Sequence, residues 1–179
     1  MRLATTLAGL GLVLGWAPFV GVSVSSAASN NATTTFPLDG PNQLETYARL
    51  NCHPVIGSCD FTVGADMKTP DGVTGFPHDL WSRQSSEVRS TDRMAYMDVH
   101  ADAQYDRVHK DGGNDEITTI YLGDGPPEKY QTTGRIDSTD WRTGQPRTNV
   151  NVILCTHIQV VYSGVNITSP STCAQANFS

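Results

Sequence analysis

Residues 149–167 read NVNVILCTHIQVVYSGVNI, rich in Val and Ile and apolar on nearly both faces of an extended chain. A strand that is apolar on both sides belongs in the middle of a sheet. Its length predicts a kink near Thr156-His157, and His157 reads as a satisfied core or interface histidine rather than a base. The neighbouring segments are amphipathic. In CDFTVGADMK (59–68), Phe61, Val63, Ala65 and Met67 alternate with polar or small residues, the period of a half-buried strand. From Ala95 to Tyr105 the residues Ala95, Met97, Val99, Ala101, Ala103 and Tyr105 share one side, and Tyr96, Asp98, His100, Asp102 and Gln104 the other. The turn KDGGND (110–115) followed by EITTIYLGD (116–124) predicts that this strand folds back as a hairpin.

Elsewhere the pattern is less regular. TPDGVTGFP (69–77) is a loop, HDLWSRQSSEVRS (78–90) an irregular strand or helical turn, and KYQTTGRI (129–136) a weaker strand before the loop DSTDWRTGQPRT (137–148). Pro41–Leu50 fits a short helix or an extended arm, since Leu44, Tyr47, Ala48 and Leu50 could line one helical face, and ETYARLNC could equally begin a strand. The polar stretch SNNATTTFPLDG (29–40) is expected to be a flexible leader. Short strands between Gly/Pro turns, with little helix, predict an all-β fold. It is an immunoglobulin-like or related antiparallel β-sandwich, disulfide-tied, over residues 41–179.

The 179 residues carry a formal net charge of −6 with a pI near 5.2, which argues against a nucleic-acid binder that must neutralise phosphates. The N-terminus has the pattern of an export signal over residues 1–28. Arg2 supplies the positive start, Leu7–Val22 the apolar region, and Ser25-Ser26-Ala27-Ala28 the small residues for cleavage after Ala27 or Ala28. Glycines and Pro18 in the apolar region disfavour an uncleaved membrane span. A secreted or cell-envelope location follows, and it makes sense of Cys52, Cys59, Cys155 and Cys173. An even count in an oxidising compartment reads as two disulfides. Loop-closure entropy favours the local pairs Cys52–Cys59 and Cys155–Cys173, contributing roughly 2.5 and 3 kcal/mol. Paired zinc-ribbon spacings are absent.

No nucleotide or phosphate-binding motif occurs, and no cofactor or metal is expected. Asp98, His100 and Asp102 project from one face of a strand at about 6.6–7 Å spacing, wide for joint ligation of an ion. They are candidates for acid–base work and equally the solvated side of an amphipathic strand. Asp111, Asn114, Asp115 and Glu116 resemble a calcium loop in composition, but a Gly-Gly turn explains them without an ion. Trp81, Tyr130, Trp141 and Arg142, with Phe76, lie in loop-like surroundings where aromatic residues serve ligand contact. The expected function is a non-catalytic binding or accessory module for an unidentified envelope or extracellular ligand. The alternative is a secreted hydrolase built on the acidic and histidine side chains.

Five segments resemble small exported proteins of unknown function from mycobacteria and related actinobacteria. They are TPDGVTGFPHDLWSRQ (69–84), STDRMAY (90–96), GDGPPEKY (123–130), STDWRTGQP (138–146) and CTHIQVVYSGVNITSPSTCAQANFS (155–179). None of them is a catalytic signature, so the resemblance implies location and no activity.

Overall fold

A computed structural model describes residues 28–102, 107–110 and 115–178, with side chains described outside 107–110. Residues 1–27 of the expected export signal and the turn residues Asp111 and Asn114 lie outside the described residues. The strands are β1 (Ser29–Pro37), β2 (Gln43–His53), β3 (Ser58–Thr69), β4 (Gly72–Thr74), β5 (Trp81–Ser90) and β6 (Ala95–Asp102). They continue with β7 (Arg107–Lys110), β8 (Glu116–Leu122), β9 (Gln131–Asp140), β10 (Asn151–Tyr162), β11 (Val165–Thr168) and β12 (Thr172–Asn177). The one helical element among the described residues is a 3-10 turn at Pro127–Tyr130.

Two antiparallel sheets face each other, as the strand-and-turn pattern predicts. One has the order β1-β2-β3-β9-β6 with β4 beside β3, and the other β11-β10-β5-β8-β7 with β12 beside β10. The inward residues of both sheets form an apolar core from Leu50, Phe61, Val63, Val99, Ile136, Val152, Leu154 and Phe178. Strand β10 is central, as its apolar sequence requires. No kink is needed to accommodate its length, because its partner changes instead. One side pairs β5 from Val152 to Val161, while the other pairs β12 over Asn151–Thr156 and β11 over Gln159–Tyr162. At the junction Ser169 accepts the Ile158 N–H on its hydroxyl and donates its own N–H to the Ile158 carbonyl. His157 points outward and is exposed, so it is not a core histidine.

Both expected disulfides form, and each joins residues directly opposite in register. Cys52 faces Cys59 across β2 and β3, and Cys155 faces Cys173 across β10 and β12, with Cα separations of 3.9 and 4.1 Å.

Three expectations are corrected. Residues 29–40 are not a free leader. Their β-branched threonines alternate in burial, and β1 pairs β2 along its whole length, from Ser29 opposite Asn51 to Pro37 opposite Gln43. Of the alternatives open for Pro41–Leu50 the helical one is corrected and the strand one holds, since residues 43–53 form β2 with Leu44, Thr46, Ala48, Leu50 and Cys52 pointing inward. The hairpin predicted between residues 95 and 124 is divided. β6 pairs β9 in the first sheet, whereas β8 lies in the second between β5 and the short β7. β8 takes β7, not β6, as its hairpin-side partner.

Candidate functional site

The loop that follows β9 is fixed by one carboxylate. Asp140 accepts the backbone N–H groups of Arg142 and Thr143 at 2.9 and 3.0 Å, and the Thr143 hydroxyl at 3.3 Å. These bonds, the Arg142 N–H first, hold the Asp140 carboxyl below the usual carboxylate range. Gly144 completes the turn at φ +69°. The turn lifts Trp141 to the surface, 64 % exposed, where it meets Tyr96 of β6 edge-on, with centroids 5.2 Å apart at 70°.

A second turn, residues 91–94, carries the chain from one sheet to the other beneath this pair. Asp92 accepts the Met94 N–H at 2.9 Å and takes the Arg147 guanidinium at 2.6 Å, which ties this turn to the Trp141 loop. Both contacts hold the Asp92 carboxyl below its ordinary range, the Met94 N–H most strongly. Arg93 sits at φ 56°, a conformation few non-glycine residues adopt. Between the turns and the ends of β5 and β8 opens a cleft of about 300 Å³. Tyr96, Trp141, Arg89, Arg93, Glu87 and Asp115 line it. Partial desolvation, then the carboxylates of Asp98 and Asp115, push the Tyr96 phenol up from its ordinary value. The cleft thus offers a fixed aromatic pair with charges of both signs around it.

Of the residues singled out in the sequence, Trp141 lies in this cleft, and Arg142 is exposed on its loop. Trp81 lies elsewhere, on the outward face of β5 in one cross-strand row with Leu122 and Val161. Tyr130 is not a contact residue. It is fully buried, edge-on to Phe76 at 4.9 Å and Tyr121 at 6.0 Å, and its hydroxyl donates to the Gly123 carbonyl at 2.8 Å. Phe76 is buried with it, so GDGPPEKY and the Phe76 loop close the end of the sandwich instead of presenting aromatics. Tyr96, Arg89 and Arg93 were missed. Only the register, which sets Tyr96 opposite Thr139 at the end of β9, brings Tyr96 to Trp141.

The acidic strand assembles in part. On the outward face of β6, His100 Nε2 lies 3.2 Å from an Asp98 carboxylate oxygen and 3.6 Å from one of Asp137. Arg135 Nε donates to Asp137 at 2.7 Å. The second carboxylate at His100 therefore comes from β9, not from Asp102, which stands opposite Thr133 and is exposed. With the His100 side chain 56 % exposed, these contacts are strongly solvated and contribute little to stability. Among the described residues no group of three or more His, Cys, Asp or Glu is arranged to hold a metal ion.

No protein-family model matches the chain, and no curated protein matches it. Among solved structures the chain is similar to one described as "pH-induced modulation of Streptococcus parasanguinis adhesion by Fap1 fimbriae". Identity is 10%, coverage 81% of this chain and 88% of that chain, and the TM-score 0.37. A likeness of that size transfers nothing of that protein's behaviour. No helix among the described residues is long and apolar enough to cross a membrane.

Proposed function

We propose that the chain is an exported, non-catalytic binding module that holds an envelope or extracellular ligand in the Trp141–Tyr96 cleft. The observation that carries this reading is the exposed Trp141 ring, held against Tyr96 by a turn whose bonds are all made before any ligand arrives. An exposed aromatic with its rotamer and backbone already ordered costs little entropy to use, the property of a binding anchor. Arg89, Arg93, Glu87 and Asp115 would orient the polar groups of a ligand whose flat face lies on the rings. Export is supported by the signal pattern of residues 1–28 and by the two disulfides. The resemblance to exported actinobacterial proteins points the same way.

The test is retention of cell-envelope glycans, lipids and proteins on immobilised protein. Wild type and Trp81→Ala should retain the same component, and Trp141→Ala and Tyr96→Ala should lose it. Equal retention by Trp141→Ala would remove the cleft from consideration.

A second reading is hydrolysis at His100, supported by its contact with both Asp98 and Asp137. It requires a turnover of an envelope ester or glycan that disappears in His100→Gln and survives in Trp141→Ala.

A further inference from the structure

The two disulfides are placed in opposite environments. Cys52 and Cys59 are 3 % and 0 % exposed and belong to the apolar core. Cys173 is exposed and Cys155 half-buried, and both point to the outward face of the second sheet. There Cys155 borders a recess of about 260 Å³ lined also by Arg83, Glu87, Thr118, His157 and Ser171. Strand β12 pairs only β10 among the described strands, so Cys173 sits on an edge strand of its sheet, and it stays exposed although β1 and β2 of the facing sheet pack close to β12. Attack on a disulfide runs along the S–S axis from behind the sulfur that is attacked, and access to that line sets the rate.

We propose that Cys155–Cys173 is a thiol-exchange site of the folded protein, open to a small dithiol, whereas Cys52–Cys59 is closed to it. A thiolate of the dithiol attacks Sγ of Cys173. A mixed disulfide forms there, the Cys155–Cys173 bond breaks, and Cys155 leaves with the electron pair as a thiolate. The leaving sulfur faces the recess, where Arg83 favours the negative charge and Glu87 and Glu116 oppose it. The second thiolate of the dithiol then attacks its own sulfur in the mixed disulfide and releases Cys173. Two electrons pass from the dithiol, which ends as a cyclic disulfide, and its two protons end on the cysteines. Strand β12 keeps its place afterwards. Its pairing with β10 from Thr172 to Asn177 and the burial of Ala174, Ala176 and Phe178 do not depend on the bond. The site is thus reversible, and reoxidation finds the two sulfurs still opposite each other.

The experiment treats oxidised wild-type protein with dithiothreitol in native buffer, quenches in acid, alkylates, and maps the modified peptides over time. Cys155 and Cys173 should be modified at least about tenfold faster than Cys52 and Cys59, since exchange follows access, while the far-UV strand signal persists. Glutathione as a monothiol probe should be found on the Cys173 peptide. The Cys155→Ser/Cys173→Ser double variant should show no fast phase. Equal rates for the two pairs, a faster Cys52–Cys59, or modification only after the strand signal is lost would each overturn the proposal. Should the double variant not fold, the wild-type peptide map decides alone.

Discussion

The phenol of Tyr121 donates to Oε1 of Gln84 at 2.6 Å in the middle of the sandwich, where both side chains are buried. Gln84 passes the connection to Thr156 at 3.1 Å, Thr156 meets Ser86 at 2.9 Å, and Tyr121 also meets Thr132 at 2.7 Å. Thr119 joins Thr132 at 2.9 Å, and Thr46 joins Thr172 at 2.6 Å. These residues form a polar belt across both sheets. On one side of it lies the cluster of Phe61, Val99, Leu154 and Phe178, and on the other that of Leu44, Phe76, Tyr130 and Ile158. A belt of this kind specifies register. A strand slipped by one residue would turn its hydroxyls away from their partners and leave buried groups unpaired.

Tyr121→Phe removes the donor to Gln84 and leaves its Oε1 buried without that bond. The expected loss is about 1–3 kcal/mol, the cost of an unsatisfied buried acceptor. Urea unfolding of the two proteins measures it, and an unchanged midpoint would show that the belt contributes no stability through this bond.

The same belt explains what could and could not be read from the residues. The inward face of β5 is Ser82, Gln84, Ser86, Val88 and Ser90, so the central partner of β10 shows no apolar periodicity and reads as irregular. The β10 sequence, the alternation of β3 and the local cysteine pairs were legible because burial and loop closure act on neighbouring residues. Which sheet β6 joins, and the meeting of Tyr96 with Trp141 or of His100 with Asp137, depend on pairing between strands far apart in sequence. Tyr130 is not legible because a Gly/Pro-bounded loop reads as open, whereas its ring is the plug of that end.

The two disulfides should differ in stability as they differ in access. Cys52→Ser/Cys59→Ser removes a bond between buried sulfurs and puts two hydroxyls into an apolar cluster, with an expected cost of about 3–5 kcal/mol. Cys155→Ser/Cys173→Ser should cost about 2–4 kcal/mol. Loop entropy alone ranks them the other way, since the separations are 7 and 18 residues. Thermal and denaturant melts of the two double variants show which contribution dominates.

On β6, Asp98→Asn with His100→Gln should change stability by no more than about 0.5 kcal/mol, the range of solvated surface sites. Val99 lies between them and is 0 % exposed, so Val99→Asp should unfold the domain by burying an unpaired charge. Calorimetry with and without divalent cations checks both. A loss of several kcal/mol in the double variant, or a metal that raises the melting temperature of wild type alone, would make the outward strip a built site.

Asp66 gives the chain a pH dependence opposite to that of an ion-paired carboxylate. It stands directly across β2–β3 from Glu45, and its Oδ1 is buried with no hydrogen-bond partner among the described residues. Desolvation above all, then the charges of Glu45 and Glu128, raise its pKa from 3.8 to about 6, against the opposing pull of Arg49 and Lys68. The folded state therefore holds a proton that the unfolded chain has already released over that interval. Stability contributed by the neutral acid is present at low pH and is lost as pH rises from about 4 through about 6. Allowing for solvent screening, the decline should be about 1–2 kcal/mol. Asp66→Asn keeps the neutral shape at every pH, so it should flatten this part of the profile and leave the variant more stable than wild type near neutrality. Denaturant unfolding in steps across that range compares the slopes. Parallel profiles would mean that Asp66 is ionised in the folded protein throughout, with Lys68 and Arg49 outweighing its burial.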